Sequence, residues 1–200
     1  MTNDDLLSLA RQTIQREAQA VATIADQINQ TFLDVAQMLL ACSGHVLVAG
    51  SGTSHATALR LAHLLSCVGT PALFIHPGDA QHGTSGAIKK DDGVILISRG
   101  GETDEVNKLG AIAKQRGATV VAFTEKPNST VGQLSDLVLQ VQCDPTADIA
   151  NTITTGGSLA MSAMGDALCA VLFHLRGYSM DEFALTHPGG AVGKHIATKK

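Results

Sequence analysis

The chain is organised around residues 93–105, which read GVILISRGGETDE. Its first five residues form an apolar run with the length of a buried strand, and apolar residues from Val106 onward recur at helical spacing. Residues 98–103 are therefore predicted to turn from a strand into a helix. Because the strand is continuously apolar, it is predicted to be parallel, and open parallel sheets bind ligands at the carboxyl ends of their strands.

The residue types of this turn suit a phosphate. Gly100 and Gly101 let the backbone approach a ligand closely, Ser98 and Thr103 offer hydroxyls, and the new helix offers unpaired N–H groups at its positive end. Glu102 does not suit an anion. It is either an ordinary helix-start acid that points away, or a carboxylate kept beside the phosphate for proton chemistry.

A second glycine turn, GSGTSH at residues 50–55, follows an apolar run at 45–49 and precedes a helical pattern. His55 stands where a dinucleotide-binding fingerprint needs its third glycine, and no Gly-Lys-Ser/Thr triplet makes a P-loop. The turn is thus predicted to be an anion-binding loop at a helix start. Its candidate binding residues are Ser51, Gly52, Thr53 and Ser54.

A third cluster of hydroxyls and glycines, TITTGGS at residues 152–158, opens a long apolar helix that runs to about Leu175. Thr155 is its candidate phosphate ligand. The nearly continuous apolar pattern predicts a helix that is deeply buried or lies at a subunit interface. All three clusters are predicted to converge at one switch point of the sheet.

Strands alternating with helices predict an α/β fold, a single domain over residues 1–200 with a doubly wound, parallel, five-stranded sheet flanked by helices. Residues 4–40 carry an amphipathic stripe without Gly or Pro. Residues 1–43 are therefore predicted to be a helical N-terminal segment packed on the sheet or on a neighbouring subunit. The predicted strands are 45–49, 70–76, 93–97, 119–123 and 137–141.

Composition narrows the class of protein. A net charge of -4 argues against nucleic acid as a partner, and no apolar run reaches the roughly 18 residues that span a bilayer. The polar, acidic first residues are not those of a signal peptide. The four cysteines are far apart in the sequence, and most of them stand in apolar surroundings. Free thiols in the cytoplasm are the simplest interpretation. No histidines stand at metal-ligand spacing, so neither a metal nor another cofactor is expected.

Several motifs together resemble the sugar isomerase (SIS) domain family, and more narrowly the isomerase domain of bacterial D-arabinose-5-phosphate isomerases. The similarity covers about residues 44–195. Many full enzymes of this group carry CBS modules after this point, and none is expected within residues 1–200. The motifs are GSGTS at 50–54, HPGDAQHG at 76–83, ISRGGET at 97–103, MGDAL at 164–168 and THPGGAVG at 186–193.

The resemblance implies aldose–ketose isomerisation of a phosphosugar, of the D-arabinose 5-phosphate/D-ribulose 5-phosphate type, through an enediol. It implies a phosphate site built from serine and threonine hydroxyls and backbone amides. It also implies catalytic roles for Glu102 and His187, with His82 lining the pocket. The same resemblance implies a homotetramer whose sites borrow residues from neighbouring subunits.

Three positions depart from the family pattern. Thr53 stands where the isomerases carry a lysine, Gly100 replaces a serine, and Thr146 lies where a further glutamate is usual. Arg99 is the residue expected to supply the missing positive charge. Two functions stay open at this point: a cytoplasmic isomerase, for this or another phosphosugar, and a module that binds a sugar phosphate without turning it over.

Overall fold

A computed structural model describes residues 1–191 and residue 193 of the chain. Within that part, one sheet contains all five strands, in the order β2-β1-β3-β4-β5, and every neighbouring pair is parallel. The strands are β1 (Val46–Gly50), β2 (Ala72–Phe74), β3 (Gly93–Ile97), β4 (Thr119–Thr124) and β5 (Leu137–Gln140). The predicted doubly wound parallel sheet is confirmed.

The α-helices of the described residues cover both faces of this sheet. They are α1 (Asn3–Ala22), α2 (Gln30–Ala41), α3 (Thr53–Cys67), α4 (Pro77–Ala80), α5 (Asp104–Gln115), α6 (Thr130–Leu134), α7 (Gly156–Arg176) and α8 (Met180–Thr186). Short 3₁₀ turns lie at Ala25–Gln27, Thr84–Ala87 and Pro145–Ala147.

The strand order places a switch point between β1 and β3. From β1 the chain crosses to β2 on one side, then returns to β3 on the other, so the connections leave the sheet in opposite directions here. The register pairs Gly50 with Ile97, the last residues of the two strands. The loops that follow them therefore start side by side, in the crevice where such sheets bind ligands.

Two apolar clusters form the core, one on each face of the sheet. Side chains of α2, α3 and α7 pack on the first face, and those of α5 on the second. Helix α7 has the length and apolar composition of a membrane span, yet it contacts α1, α2 and α3, and its buried side chains belong to the core. Part of the helix is thus buried, while apolar residues such as Leu159 and Leu175 are exposed, and the alternative of a subunit interface stays a prediction. Gly177 ends it in the left-handed conformation, which glycine adopts at little steric cost.

The helical pattern predicted over residues 4–40 is wrong in one respect, because the chain breaks into α1 and α2. The Asn29 side chain accepts a hydrogen bond from the Phe32 N–H and so starts a new helix. Just before it, Gln27 exchanges hydrogen bonds with the backbone of Gln142 beyond β5, which ties the connection to the sheet. No Gly or Pro signals this break.

Strand β2, the start of α6 and the cysteines can also be compared with the sequence. Strand β2 is shorter than predicted because the His76 side chain accepts from the Asp79 N–H and starts α4 at Pro77. Ser129 caps α6, since its side chain accepts from the Gly132 N–H. The four cysteines are free, as expected, and of these Cys169 is buried while the other three are partly exposed. Burial raises the pKa of the Cys169 thiol to about 12.

Candidate functional site

The turn after β3 brings two hydroxyls together. Ser98 is buried, and its Oγ lies 3.1 Å from Oγ1 of Thr103, the N-cap of α5. Because the Thr103 hydroxyl meets Ser98, it makes no capping hydrogen bond to its own helix. Both hydroxyls and the first N–H groups of α5 thus lie at one small site at the carboxyl edge of the sheet, which is the composition of an anion site.

Gly100 and Gly101 determine how closely other groups can approach the turn after β3. Gly101 has φ +74°, and a side chain there would overlap the Ser129 hydroxyl at the start of α6. Gly100 is exposed, and nothing lies within 4 Å of where its Cβ would be. The turn is therefore tightly packed on the protein side and open on the solvent side.

The turn after β1 forms the adjoining wall. Gly52 has φ +60° and precedes α3 without any side-chain cap, so the first N–H groups of α3 also lack a capping side chain. Ser51 and Ser54 are half-buried, whereas Thr53 is exposed. Since β1 and β3 are paired, two helix N-termini face the same crevice.

The Glu102 carboxylate reaches α6. Its Oε1 accepts from the Thr130 N–H at 3.0 Å, and its Oε2 accepts from the Thr130 hydroxyl at 2.6 Å. These hydrogen bonds lower the pKa of Glu102. The residue is exposed and precedes α5, so it is not one of the helix-start acids of α5.

Arg99 is held by carboxylates on two sides. Its Nε donates to Glu125 Oε1 at 2.7 Å, and its NH1 donates to Asp148 Oδ2. Burial opposes the charge of the guanidinium, but the hydrogen bonds to Asp148 and Glu125 outweigh this effect and raise the pKa of Arg99. The charge expected to serve a ligand is thus engaged within the protein.

The same Asp148 caps α7. Its side chain is fully buried, and its Oδ1 accepts from the N–H groups of Thr155 and Gly157, both at 2.9 Å. The Thr155 hydroxyl donates to the Ala147 carbonyl at 3.4 Å. The third loop therefore lies at the same edge of the sheet as the other two, but its helix N-terminus is already occupied by a carboxylate.

The two histidines implied by the resemblance belong to other segments of the chain than these turns. His82 is exposed in the loop after α4, where its backbone N–H donates to the Asp79 carbonyl. His187 stacks on Phe183 at 3.8 Å, and its Nε2 lies 3.4 Å from Sγ of Cys67, the last residue of α3. Since α3 begins at Thr53, about 14 residues and roughly 21 Å of helix separate His187 from the turn after β1.

A cavity of about 570 Å³ adjoins the Arg99 network. Its walls come from Thr23 and Gln27 beyond α1, from Glu125 and Lys126 after β4, and from residues 142–145 after β5. Burial raises the pKa of the Cys143 thiol in this wall, and the negative charge of Asp148 adds to the effect. The cavity is polar and opens at the carboxyl edge of the sheet.

The sequence did not single out Glu125 or Thr130. Glu125 directly follows β4, as Ser98 follows β3, so its place at a strand end was the available signal. Asp148 lies two residues after Thr146, the position where a further glutamate is usual in the family. Its contact with Arg99, 49 residues away, has no signature in the sequence.

A crevice between two parallel strands, lined by hydroxyls and helix N-termini, is typical of α/β domains that bind anionic ligands at a switch point of the sheet. Residues 39–171 match the SIS domain, and the chain belongs to that family. It is 34% identical over 197 residues to an arabinose 5-phosphate isomerase, KdsD, of Pseudomonas aeruginosa, and 34% identical over 195 residues to another, KpsF, of Escherichia coli. These alignments cover 98% and 97% of this chain but only 60% of each relative.

Solved structures agree with this assignment. A Listeria monocytogenes protein described as a putative sugar-phosphate isomerase has a TM-score of 0.91 at 33% identity, and the match covers 94% of this chain and 100% of that one. An Escherichia coli CFT073 protein solved in complex with arabinose 5-phosphate has a TM-score of 0.90 at 32% identity, with the same coverage.

Proposed function

We propose that this chain is a phosphosugar aldose–ketose isomerase of the D-arabinose 5-phosphate/D-ribulose 5-phosphate type. The observation that carries the proposal is that the turns after β1 and β3 follow paired strands, with the Ser98 and Thr103 hydroxyls 3.1 Å apart and Glu102 in the second turn. The identity to arabinose 5-phosphate isomerases and the likeness to a structure holding arabinose 5-phosphate support the choice of substrate.

The phosphate is held by hydroxyls and amides in this proposal. Ser51, Ser54, Ser98 and Thr103 supply the hydroxyls, and the first turns of α3 and α5 supply N–H groups. Neutral donors and helix N-termini bind phosphate without a lysine, so the threonine at position 53 does not prevent binding. The glycines Gly52, Gly100 and Gly101 let the backbone approach the ligand.

Isomerisation needs one proton to move between neighbouring carbons and one between their oxygens. A base removes the proton from the carbon beside the carbonyl, which leaves an enediol. The proton then returns to the former carbonyl carbon, while a hydroxyl proton crosses to the other oxygen, so no further reagent is consumed. Glu102 is the proposed carbon base, because a phosphate dianion nearby disfavours its charge and raises its basicity.

His187 completes the site from a neighbouring subunit in this proposal, since its own chain holds it about 20 Å away along α3. Its role is ring opening or the transfer of hydroxyl protons, with His82 lining the pocket. Exposed apolar side chains support a homo-oligomer, proposed as a tetramer: along α1 they are Leu6, Leu7, Leu9 and Ile14. The four free thiols support a cytoplasmic location.

One observation favours the second function, a module that binds without turnover. Glu102 is hydrogen-bonded twice by Thr130, which lowers its pKa and weakens it as a base. In the isomerase, substrate binding has to draw this carboxylate away from α6.

A panel of pentose, hexose and hexulose phosphates separates the two functions. Each compound is tested for turnover and for a shift of the melting temperature. Turnover of D-arabinose 5-phosphate supports the isomerase, and turnover of another phosphosugar alone corrects the substrate. A thermal shift without turnover of any compound supports the binding module.

A further inference from the structure

The N-terminus of α7 is an anion site that the chain fills with its own carboxylate. Asp148 has a side chain with no exposed surface. One of its oxygens accepts from two N–H groups in the first turn of α7, both at 2.9 Å, and the other accepts from Arg99. Amides of a helix start together with a guanidinium are the donors that hold a phosphate elsewhere, and here two of the amides and two of the guanidinium nitrogens donate to carboxylates of the chain itself.

Arg99 is fixed in this arrangement. Glu125 binds its Nε at 2.7 Å, while Asp148 binds its NH1. A Cβ at Gly157 would lie 3.3 Å from its NH1, so the guanidinium packs directly against the α7 backbone. The group of one arginine and two carboxylates carries a net charge of about one negative unit when all three are ionised.

This negative group borders the proposed phosphate site. Arg99 directly follows Ser98, and its carbonyl accepts from the Thr124 hydroxyl and the Glu125 N–H, both at 3.0 Å. Charges act over about 10 Å at 0.1 M ionic strength, which exceeds the length of a five-carbon sugar. A second anionic group on a bound sugar phosphate is therefore repelled by the net negative charge of Arg99, Glu125 and Asp148, in whichever direction the far end of the sugar points.

We propose that Asp148 is a specificity residue that closes the α7 N-terminus to the substrate and, with Glu125, neutralises Arg99, so that the site takes sugars with one phosphate and rejects those with a second anionic group. The inference rests on the proposed sugar-phosphate site. It assigns Arg99 a positioning role, in place of the phosphate-binding role expected from the sequence.

The test compares two probes on one carbon skeleton, D-ribulose 5-phosphate and D-ribulose 1,5-bisphosphate, by calorimetric affinity. The parent is expected to prefer the monophosphate. In Asp148→Asn the amide oxygen can still accept from α7, but Arg99 loses a neutralising charge. The preference for the monophosphate is then expected to fall on the order of tenfold, as one unit charge at this range predicts.

Two further variants provide a second test of the same charge effect and a control for net charge. Glu125→Gln removes the other carboxylate, which is 18% exposed, and is expected to shift the preference in the same direction by less. It decides the matter if Asp148→Asn does not fold. Asp91→Asn makes the same charge change before β3, at the opposite edge of the sheet, and is expected to leave the preference unchanged.

The outcomes separate the two proposals. A parent that binds both probes equally, or an unchanged preference in folded Asp148→Asn and Glu125→Gln, overturns the specificity role and leaves the isomerase site standing. A shift in Asp91→Asn as large as in Asp148→Asn also overturns it, because net charge alone then explains the effect. A parent that binds no sugar phosphate overturns the proposed function and this inference together.

Discussion

The hydroxyl oxygens of Ser98 and Thr103 lie 3.1 Å apart, one at the end of β3 and the other at the start of α5. Neither hydroxyl is spent on capping α5, so both remain at the mouth of the switch point between β1 and β3. This pairing locates the proposed phosphate site and motivates the first prediction.

Replacing both hydroxyls is expected to weaken sugar-phosphate binding. In Ser98→Ala/Thr103→Val each lost hydrogen bond to a charged group removes about 1.5–3 kcal/mol, so affinity for D-arabinose 5-phosphate should fall by about two orders of magnitude or more. Calorimetry measures the affinity. Ser66→Ala removes a hydroxyl near the far end of α3 and serves as the control, since Ser66 donates to the Ala72 carbonyl. Undiminished affinity in the double variant would refute this placement.

Glu102→Gln is expected to abolish turnover while binding is retained, because the amide cannot take a proton from carbon. The measurements are the turnover rate of the best substrate and its calorimetric affinity. Turnover near the parent rate would show that another group is the base.

The hydrogen bonds from Thr130 to Glu102 predict how turnover depends on pH. These hydrogen bonds lower the pKa of Glu102, so a base at this position stays active to lower pH than an unbonded carboxylate would. Thr130→Val removes the hydroxyl, which raises this pKa in the free enzyme, and the acidic limb of the pH profile of kcat/KM should move to higher pH. Thr130→Ser keeps the hydroxyl and should leave the limb in place. An unmoved limb in Thr130→Val would mean that Glu102 does not set it.

Two arginine–carboxylate pairs make a matched comparison of stability. Arg99→Ala leaves the buried Asp148 without its cation and should lower the free energy of unfolding by about 3–5 kcal/mol. Arg60→Ala breaks a pair with Asp166 in which both side chains are nearly half exposed, and should cost at most about 1 kcal/mol. Urea unfolding measures both. Equal losses in the two variants would show that burial of the Arg99 pair contributes nothing extra.

A site shared between subunits predicts complementation. Glu102→Gln and His187→Ala chains should each be inactive alone, and mixed oligomers should regain activity, because some sites then pair an intact Glu102 with an intact His187. Activity after joint refolding is the measurement. No recovery, or a monomer in sedimentation at micromolar concentration, would exclude the shared site.

Local sequence determined the fold class and the positions of the turns that are rich in glycine and hydroxyl residues. Continuous apolar runs such as 93–97 specify buried parallel strands. The glycines and hydroxyls that follow them act within a few residues of chain, so both the strands and the turn residues can be predicted from the sequence. The break between α1 and α2 could not be predicted from the sequence, because a capping asparagine and a contact across 115 residues create it.

Only the tertiary structure decided what the charged residues do. The sequence assigned Arg99 to a ligand, but folding brings Glu125 and Asp148 to its two sides, and a partly buried guanidinium is most stable when carboxylates neutralise it. Glu102 is likewise held by a residue 28 positions away. A residue type limits the chemistry available to it, whereas its charge state and its partners depend on contacts between segments that are distant in sequence, and these exist only after the sheet has formed.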